Sequence, residues 1–587
     1  MLKRFFITVL GAVTGVWIAI AIGIFCLLGI VGAALSSTTV ETPKVQKHSA
    51  LYLNLQGQIP DRYQPGDFWQ MIRDSEEQGD ALVDIIRSID NAAGDSKIEG
   101  IYINAPVGAT AGGVSALEEI VEALQRFKAS GKWIMAYGDV YTQGAYMLAS
   151  QADSVCLNPM GSVDIHGVAA QTPYFKDMLD KLGIRMQIVR VGTFKSAVEP
   201  FMLQNMSPAA ELQTRVMLDS IWSCVAGTMA DARGISTAKV NLWADSLMST
   251  WSAADIQRAG AVNSLAYRRQ FEKTLRRNCG LKDDDDLRLI TPSEYIATLK
   301  NHSKSDRHIA VYFASGDIVD TGEGGIVGDK VVPDILRLAD DENVAGMVLR
   351  VNSGGGSAYA SEQIWEALQY FKSKGKPLYV SMGDYSASGG YYISCGADRI
   401  YADRTTLTGS IGVFGMIPDF SGLTSGKLGI NFCTVATNPE GTIASPFGQM
   451  TPGQAAALQR SVDDIYDIFT RRVAEGRGMP QDSVKLIAEG RVWPGGSALR
   501  LGLVDSIGSL QTTIDALADN LDLRPEQVCL YPEVKDDFLV ELVRRSRSEI
   551  KLGGVTLDPA SLRMMQTVEY LRRMAPVQAR MAPVEIR

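Results

Sequence analysis

The stretch Gly383-Asp384-Tyr385-Ser386-Ala387-Ser388-Gly389-Gly390-Tyr391 has a counterpart earlier in the chain, Gly138-Asp139-Val140-Tyr141-Thr142-Gln143-Gly144-Ala145-Tyr146. Where the later copy has Ser388, the earlier copy has Gln143. Farther along, Val191-Gly192-Thr193-Phe194-Lys195-Ser196 has the counterpart Val435-Ala436-Thr437-Asn438-Pro439-Glu440, which contains no lysine. A duplicated fold that divides a serine and a lysine between its copies predicts one catalytic site built from both halves.

Short apolar runs alternate with amphipathic segments in both copies. In the second copy, residues 344–351 and 377–382 predict buried strands, and residues 361–371 predict a helix that Gly375 ends. Gly383-Asp384 predicts a turn, which leads to Ser388 at the start of another helix. The first copy runs in the same order, with predicted strands at 101–105 and 133–137. Strands that alternate with helices predict an α/β fold of parallel βαβ units with right-handed crossovers.

Two polar stretches divide the copies, the acidic run at 283–286 and the segment 301–306. We place the linker there, so that the first repeat covers residues 48–300 and the second covers 308–535. Residues 536–587 form a tail that is basic around Arg544-Arg545 and Arg572-Arg573. Such a tail is compatible with contact to anionic lipid or with disorder.

The first 41 residues predict a membrane anchor. Lys3 and Arg4 are followed by no charged residue until Glu41, and residues 5–35 are almost wholly apolar. A membrane span needs about 20 such residues, whereas the core of a cleaved signal peptide has about 7–15. The length favours an uncleaved anchor, although Gly32-Ala33-Ala34 leaves a cleavage site open. The basic N-terminus should stay in the cytoplasm, which places the rest of the chain across the membrane.

Composition narrows the function classes. The chain has 587 residues, 46% of them hydrophobic, and a net charge of -9, which indicates a globular protein and argues against a nucleic-acid partner. Its four histidines lack metal-ligand spacing, so we expect neither a metal nor another cofactor. The seven scattered cysteines are typical of small core residues, with one or two disulfides left open.

Ser388 needs a base before it can act as a nucleophile. The second copy contains no histidine after residue 308, so His166 or His308 would have to reach across to it. A lysine can replace histidine if burial in an apolar pocket lowers its pKa. The neighbours that could form such a pocket around Lys195 are Phe194, Val198 and Phe201. We expect Glu199 to point away from Lys195, because a nearby carboxylate would raise the lysine pKa.

Glycines near Ser388 could supply an oxyanion hole. The backbone N–H of Gly389 and the loop Gly354-Gly355-Gly356 are the candidate donors. The simpler interpretation is that these glycines only form tight turns, and that a loop lysine is a solvated charge. Ser353, Ser357 and Ser394 are interpreted as turn or helix residues, and Ser386 as a bystander. Ser162, the counterpart of Ser410, is interpreted as structural.

Four strings, in order within a duplication, resemble the signal peptide peptidase A (protease IV) family in its long, duplicated form. They are Gly192-Thr193-Phe194-Lys195-Ser196-Ala197, Arg350-Val351-Asn352-Ser353 with Gly355-Gly356-Ser357, Ala387-Ser388-Gly389-Gly390-Tyr391, and Thr408-Gly409-Ser410-Ile411-Gly412. The resemblance extends from about residue 48 to 530 and includes the anchor. It implies tandem repeats of the crotonase and Clp protease type. It also implies a homotetramer on the outer face of the cytoplasmic (inner) membrane that degrades released signal peptides.

The resemblance also implies roles for individual residues. Ser388 would be the nucleophile, Lys195 the general base and Ser410 the residue that orients the lysine amine. Gly355 and Gly389 would donate to the oxyanion, although Gly354 stands where the family usually has proline, which puts the choice of glycine in doubt. Two other classes stay open: a crotonase-type enzyme acting on an acyl-coenzyme A thioester, and a catalytically silent scaffold that binds peptides at the membrane.

Overall fold

The computed structural model describes residues 44–57, 59–63, 80–108, 112–299, 306–533 and 577–581. The predicted anchor at 1–41 and most of the tail at 536–587 lie outside these ranges. Within them, no helix is both long and apolar enough to span a membrane.

The elements of the described residues run in the following order. The strands are β1 (Ser49–Asn54), β2 (Ile98–Ala105), β3 (Trp133–Tyr141), β4 (Ser154–Val163), β5 (Arg185–Val191), β6 (Ser264–Leu265), β7 (Leu289–Ile290), β8 (His308–Ser315), β9 (Ile318–Val319), β10 (Ile326–Val327), β11 (Val344–Ser353), β12 (Gly355–Ser357), β13 (Leu378–Ala387), β14 (Arg399–Ala402), β15 (Leu407–Gly409), β16 (Val413–Asp419), β17 (Val492–Pro494), β18 (Ser506–Ile507), β19 (Val528–Tyr531) and β20 (Val577–Arg580). The α-helices are α1 (Leu82–Gly94), α2 (Val114–Lys128), α3 (Gln143–Ala149), α4 (Lys176–Leu182), α5 (Glu199–Met202), α6 (Pro208–Arg233), α7 (Thr237–Asp245), α8 (Ala253–Arg258), α9 (Arg268–Asn278), α10 (Pro292–Thr298), α11 (Gly328–Asp340), α12 (Ala358–Ser373), α13 (Gly389–Ser394), α14 (Ser421–Thr424), α15 (Pro452–Arg477), α16 (Gln481–Ile487), α17 (Gly495–Arg500) and α18 (Leu510–Leu521).

The duplication appears as two sheets with the same strand order. The first is β6-β4-β3-β2-β1-β7, and all of its pairs are parallel. The second contains β18-β14-β13-β11-β8-β19 in the corresponding positions, also parallel, with β15 and β17 continuing from the far end of β13. The predicted α/β class and its parallel βαβ units are therefore present in both repeats.

A third sheet joins the repeats, in the order β10-β9-β12-β20-β16-β5. Strand β5, from the first repeat, pairs antiparallel with β16 of the second over seven residues. Lys195 lies four residues after the end of β5, so this pairing brings the first repeat's lysine beside the second repeat.

One predicted turn is wrong, and its correction matters for the site. Gly383 and Asp384 do not end the strand, because β13 continues through them to Ala387. A Cβ atom on Gly383 would lie 3.1 Å from Asn352 Cγ and 3.2 Å from Arg350 Nη2, so glycine serves here for close packing on β11. The helix that Gly375 was predicted to end is α12, and Gly375 follows its last turn with φ +76°.

The end of the first repeat packs against the start of that repeat. Between the two polar stretches, β7 pairs with β1 and α10 packs on α1, so residues 289–298 belong to the first repeat's structure. The hydrophobic core of the first repeat also contains Ala387, Leu407 and Met581. The two repeats thus share apolar packing next to Ser388.

Candidate active site

Ser388 lies in the sharp bend between β13 and α13. Its backbone has φ +56° and ψ -114°, a conformation that a non-glycine residue adopts at a cost of about 1–3 kcal/mol. The bend is held by the Ser388 N–H, which donates to Gly409 O at 2.7 Å, and by close packing of Gly390 on Ser353 O. Such strained strand-to-helix bends present nucleophilic side chains in other hydrolases.

Lys195 approaches Ser388 from the first repeat. Its Nζ lies 2.7 Å from Ser388 Oγ, 3.0 Å from Ser410 O and 3.1 Å from Ser410 Oγ. Both Ser388 and Lys195 are buried, at 0% and 1% exposure. The structure therefore brings together the three side chains that the sequence singled out, across the boundary between the repeats.

Burial lowers the pKa of Lys195 well below its ordinary value. Among the described residues, no carboxylate offsets the desolvation of the ammonium form. The prediction that Glu199 points elsewhere is confirmed, because its carboxylate accepts from Ser207 N at 3.1 Å and Ser207 Oγ at 2.7 Å.

The walls around the lysine differ in part from the prediction. Phe194 lines the same cleft as Lys195, together with Met206 and Met217. Val198 instead packs with Phe414, and the Phe201 ring stacks on Phe175 with centroids 5.7 Å apart. Sequence neighbours of a loop lysine need not face it, because the chain turns within the short 3-10 helix at 196–198.

The rival side chains lie in other surroundings. Ser386 Oγ is 3.1 Å from Ser394 Oγ, inside the second repeat's core. His308 contacts Asp306 O and Tyr531 Oη, and His166 contacts Asp164. Each of these groups has its own polar partners away from Lys195.

The two predicted oxyanion donors differ in their surroundings. The Gly389 N–H is the first of α13, and N–H groups in a first helical turn have no intrahelical acceptor. The Gly355 N–H instead donates to Ser353 Oγ at 3.1 Å. Gly355 would have to leave that partner before it could bind an oxyanion, so its role stays a prediction.

A loop that the sequence analysis missed packs over Lys195. Gly490, with φ +72°, lies so close that a Cβ atom there would be 2.6 Å from Lys195 Cβ. Glu489 O accepts from Phe194 N, and the Glu489 carboxylate accepts from Thr193 N and Thr193 Oγ1, both at 2.9 Å. Glu489-Gly490 offered a weak turn signal in the sequence, but nothing there linked it to a lysine almost 300 positions earlier.

A buried charge cluster fixes the repeats to each other beneath the site, and we call it the inter-repeat cluster: Arg350, Asp61, Glu119, Asp384 and Asp403. Arg350 lies on β11, and its Nη2 is 2.9 Å from Asp61 Oδ1 and 2.6 Å from Glu119 Oε1, both in the first repeat. Asp384, on β13, accepts from the first repeat's Ser115 N at 3.0 Å. An arginine within the apolar run 344–351 was the available signal, because a buried guanidinium needs carboxylate partners.

Burial and the neighbouring carboxylates raise the pKa of several groups in this cluster, although Arg350 opposes the shift. Burial, then the Asp61 charge, raises the pKa of Asp384 to about 6. Burial, then the Glu119 charge, raises the pKa of Asp403 well above its ordinary value. Both shifts favour the protonated form of these buried carboxyl groups.

In the first copy, the position of the nucleophile is filled. Gln143 Oε1 accepts from Gly167 N at 3.1 Å and His166 N at 3.3 Å, and Gln143 Nε2 donates to Gly167 O at 3.1 Å. A carboxamide is not a nucleophile, and here both its oxygen and its nitrogen are hydrogen-bonded to the backbone. Within the described residues, no group of three or more His, Cys, Asp or Glu side chains is arranged to hold a metal ion.

Comparison with known proteins identifies the family of this chain. The model described as "Peptidase family S49" matches residues 126–282 and 370–524, one segment in each repeat. Protease 4 of Haemophilus influenzae is 34% identical over 573 residues, covering 94% of this chain and 91% of that protein. Protease 4 of Salmonella typhi is 35% identical over 497 residues, covering 83% and 80%. The chloroplastic serine protease SPPA of Arabidopsis thaliana is 27% identical over 518 residues, covering 86% and 73%.

Among solved structures, a ClpP1 mutant from Listeria monocytogenes matches 35% of this chain and 93% of its own, at 14% identity and a TM-score of 0.24. That score is too low to bear on the fold, so the crotonase and Clp protease likeness stays a prediction. The two family segments and the near full-length relatives are sufficient on their own: this chain belongs to peptidase family S49 and is a serine protease.

Proposed function

We propose that this chain is a membrane-anchored endopeptidase that degrades released signal peptides and other short, apolar, unfolded peptides, with Ser388 as nucleophile and Lys195 as general base. The observation that carries the proposal is the 2.7 Å separation of Lys195 Nζ and Ser388 Oγ in a buried site. A relative named "Putative signal peptide peptidase SppA" in Enterococcus faecium, 34% identical over 233 residues, supports the substrate class.

The hydrogen bonds around Lys195 Nζ suggest how a neutral lysine would accept the Ser388 proton. Ser410 Oγ donates to Gly490 O at 3.3 Å, so its lone pairs face Nζ. A neutral amine has two N–H bonds and one lone pair, and the two N–H bonds match Ser410 O and Ser410 Oγ. The lone pair then points at the Ser388 hydroxyl. Ser410 would thus orient the base by accepting both of its hydrogens.

In the acylation step, the Lys195 amine takes the Ser388 proton while Oγ attacks the scissile carbonyl carbon. The Gly389 N–H faces the developing oxyanion, joined by Gly355 when it leaves Ser353. The lysine ammonium returns its proton to the leaving amine, and the peptide bond breaks. The same neutral lysine then takes a proton from water, whose oxygen attacks the acyl carbon. The ammonium returns this proton to Ser388 Oγ as the acyl bond breaks, which regenerates both groups and releases the acid product.

The membrane part of the proposal rests on residues 1–41. Their apolar length and the basic pair Lys3-Arg4 support a single-pass anchor in the cytoplasmic membrane, with the catalytic body on the extracytoplasmic side. Protease protection of intact spheroplasts tests this orientation. Digestion of the catalytic body only after the outer envelope is opened would support it, and digestion only after lysis of the inner membrane would refute it.

Self-assembly into the proposed homotetramer has support in the internal symmetry. Residues 429–435 are the second-repeat counterpart of β5, yet Ile430, Phe432 and Val435 are 51%, 48% and 100% exposed. The first-repeat counterpart of β16, residues 165–171, lies outside the strands of the three sheets among the described residues. Because β5 pairs with β16 inside the chain, residues 429–435 can pair with 165–171 of a second copy.

Assembly is tested by multi-angle light scattering in detergent. We expect a single oligomer for the wild type and monomers for the double variant Phe432→Asp, Val435→Asp. Leu486 is exposed, lies on α16 and belongs to neither segment, so the control Leu486→Asp should leave the oligomer intact. An unchanged mass for the double variant would refute this interface.

The catalytic proposal is tested with a fluorophosphonate probe and an apolar fluorogenic peptide. We expect labelling and turnover in the wild type, and loss of both in Ser388→Ala and Lys195→Ala. Ser386→Ala is the matched control, because Ser386 is an equally buried serine two positions away and should leave turnover in place. Turnover by Ser388→Ala would show that the nucleophile is a different residue. Inactivity of the folded, assembled wild type would favour the scaffold.

A further inference from the structure

The central strand of the third sheet comes from the far end of the chain. Strand β20 lies between β12 and β16 and pairs antiparallel with both, through Gly355–Ser357 on one side and Phe414–Gly415 on the other. Without β20, the sheet would separate into β10-β9-β12 and β16-β5. The body of the protein therefore presents a groove whose two edges are unpaired strands, and residues 577–580 fill it with backbone hydrogen bonds.

This groove leads directly into the active site. The β12 edge is the glycine loop that contains the predicted oxyanion donor Gly355, and β16 begins three residues after Ser410. An extended peptide that adds a strand between two edges gains affinity from its main chain and specificity from side-chain pockets. A substrate peptide would meet the same two edges.

Met581, the next residue after β20, marks one such pocket. Its N–H donates to Gly354 O at 2.8 Å, and the residue is 6% exposed. It lines the cleft that also contains Lys195, Ser410, Phe194, Met206 and Met217. A buried apolar residue in the same cleft as Lys195, at the end of a strand that pairs with the glycine loop, identifies this cleft as a pocket for a substrate side chain.

We propose that residues 577–581 act as an internal pseudosubstrate: they occupy the peptide groove as a strand with Met581 in its main pocket, and incoming peptides must displace them. This inference rests on the proposed function and deepens it. Substrates would bind extended, antiparallel to β12 and β16, with an unbranched apolar side chain in the Met581 pocket. Peptides with a charged residue there would be excluded, because Lys195 and its surroundings are desolvated.

The test compares steady-state kinetics of full-length chains in detergent on an apolar fluorogenic peptide. One variant lacks residues 577–587, and its control lacks only 582–587 and so retains the strand. An occupied fraction of about 90% raises the apparent KM about tenfold, so the longer deletion should lower KM about tenfold at unchanged kcat. The control should keep the wild-type KM.

Met581→Asp in the full-length chain should lower KM in the same direction, which keeps the test decisive if the deletion variant does not fold. An amidated peptide with the sequence of residues 577–581 should inhibit competitively, and the same peptide with aspartate in place of methionine should not. Equal KM values in every variant, or no competition by the peptide, would overturn the pseudosubstrate while leaving the proposed function standing. Absence of turnover in the wild type and in every variant would defeat both.

Discussion

At the scale of single residues, the candidate site contains a buried lysine whose hydrogen-bond partners are all neutral groups. Lys195 has three oxygen neighbours, all from neutral groups, and is 1% exposed. The importance of Ser388 and Lys195 could be predicted from the sequence, because each is missing from the other copy. The Gly490 contact could not, since it depends on a tertiary approach of two loops.

Replacement of Lys195 by arginine should abolish catalysis. A guanidinium keeps its proton at neutral pH and has no lone pair to offer Ser388. A missing general base typically costs about 10²–10⁴-fold, so we expect kcat to fall by at least about 10³-fold. The measurement is peptide turnover with Ser196→Ala as a neighbouring control. Turnover of Lys195→Arg within tenfold of the wild type would rule out lysine as the base.

The pH dependence should report the lysine directly. Its folded-state pKa is lowered, so the neutral, basic form is present above that pKa and is lost as the pH falls through it. We expect an acidic limb in kcat/KM that lies far below the ordinary lysine pKa of about 10.4. A profile of kcat/KM from pH 5 to 10 checks this. A limb at the ordinary lysine value would contradict a buried base.

At the scale of elements, β11 and β13 carry the catalytic bends and are fixed to the first repeat by the inter-repeat cluster. Strand identities were predictable from apolar runs, but the length of β13 was not, because Gly383-Asp384 has the composition of a turn. Asp384 accepts a hydrogen bond from Ser115 N, which is 269 positions away in the sequence. This contact explains why an aspartate lies within the strand. Local propensity yields to such contacts wherever a strand end is buried between domains.

Replacement of Arg350 should weaken the contact between the two repeats. Arg350→Met leaves Asp61 and Glu119 buried without their partner, which typically costs about 3–5 kcal/mol. We expect an earlier urea transition and a lower kcat, since β11 leads into the glycine loop. Arg337→Met is the control, because Arg337 is half-exposed and its pair with Asp334 is worth about 0.2–1 kcal/mol. Equal transitions for the two variants would show that the cluster does not stabilise the fold.

The raised pKa of Asp384 should increase the free energy of unfolding at acidic pH. The pKa of Asp384 is raised from 3.8 to about 6, so the folded state binds more protons than the unfolded state between these values. The stabilisation is complete below about pH 4 and is lost as the pH rises through about 6, on the order of 3 kcal/mol. Tm measured against pH should fall less through this range in Asp384→Asn than in the wild type, because Asp403 still contributes in the variant. Parallel curves for the two proteins would refute the assignment.

At the scale of the whole molecule, one site is assembled from two repeats that share a topology. The duplication and the position of its candidate site were predictable, because similar strings recur at the corresponding bends of both copies. The third sheet was not, since β5, β12, β16 and β20 come from distant parts of the chain and individually are short. A pairing between segments so far apart has no local signal to detect.

Because Lys195 and Ser388 lie in different repeats, we predict that each repeat alone is inactive. Residues 48–300 supply Lys195 without Ser388, and residues 308–535 supply the reverse. We expect no turnover from either alone and partial recovery on co-expression, because Arg350 then regains Asp61 and Glu119. Fluorophosphonate labelling and peptide turnover of each half and of the mixture check this. Turnover by the second half alone would mean that the base lies within that repeat.

The filled Gln143 position has a consequence for the history of this chain. A gene made of two similar repeats is exposed to recombination between them, which deletes one repeat and leaves a single hybrid copy. If Lys195 and Ser388 act as proposed, such a deletion leaves a copy that lacks the base, the nucleophile or both, and a glutamine cannot replace the serine. Loss of one repeat would then mean loss of activity, so selection for activity would preserve both repeats.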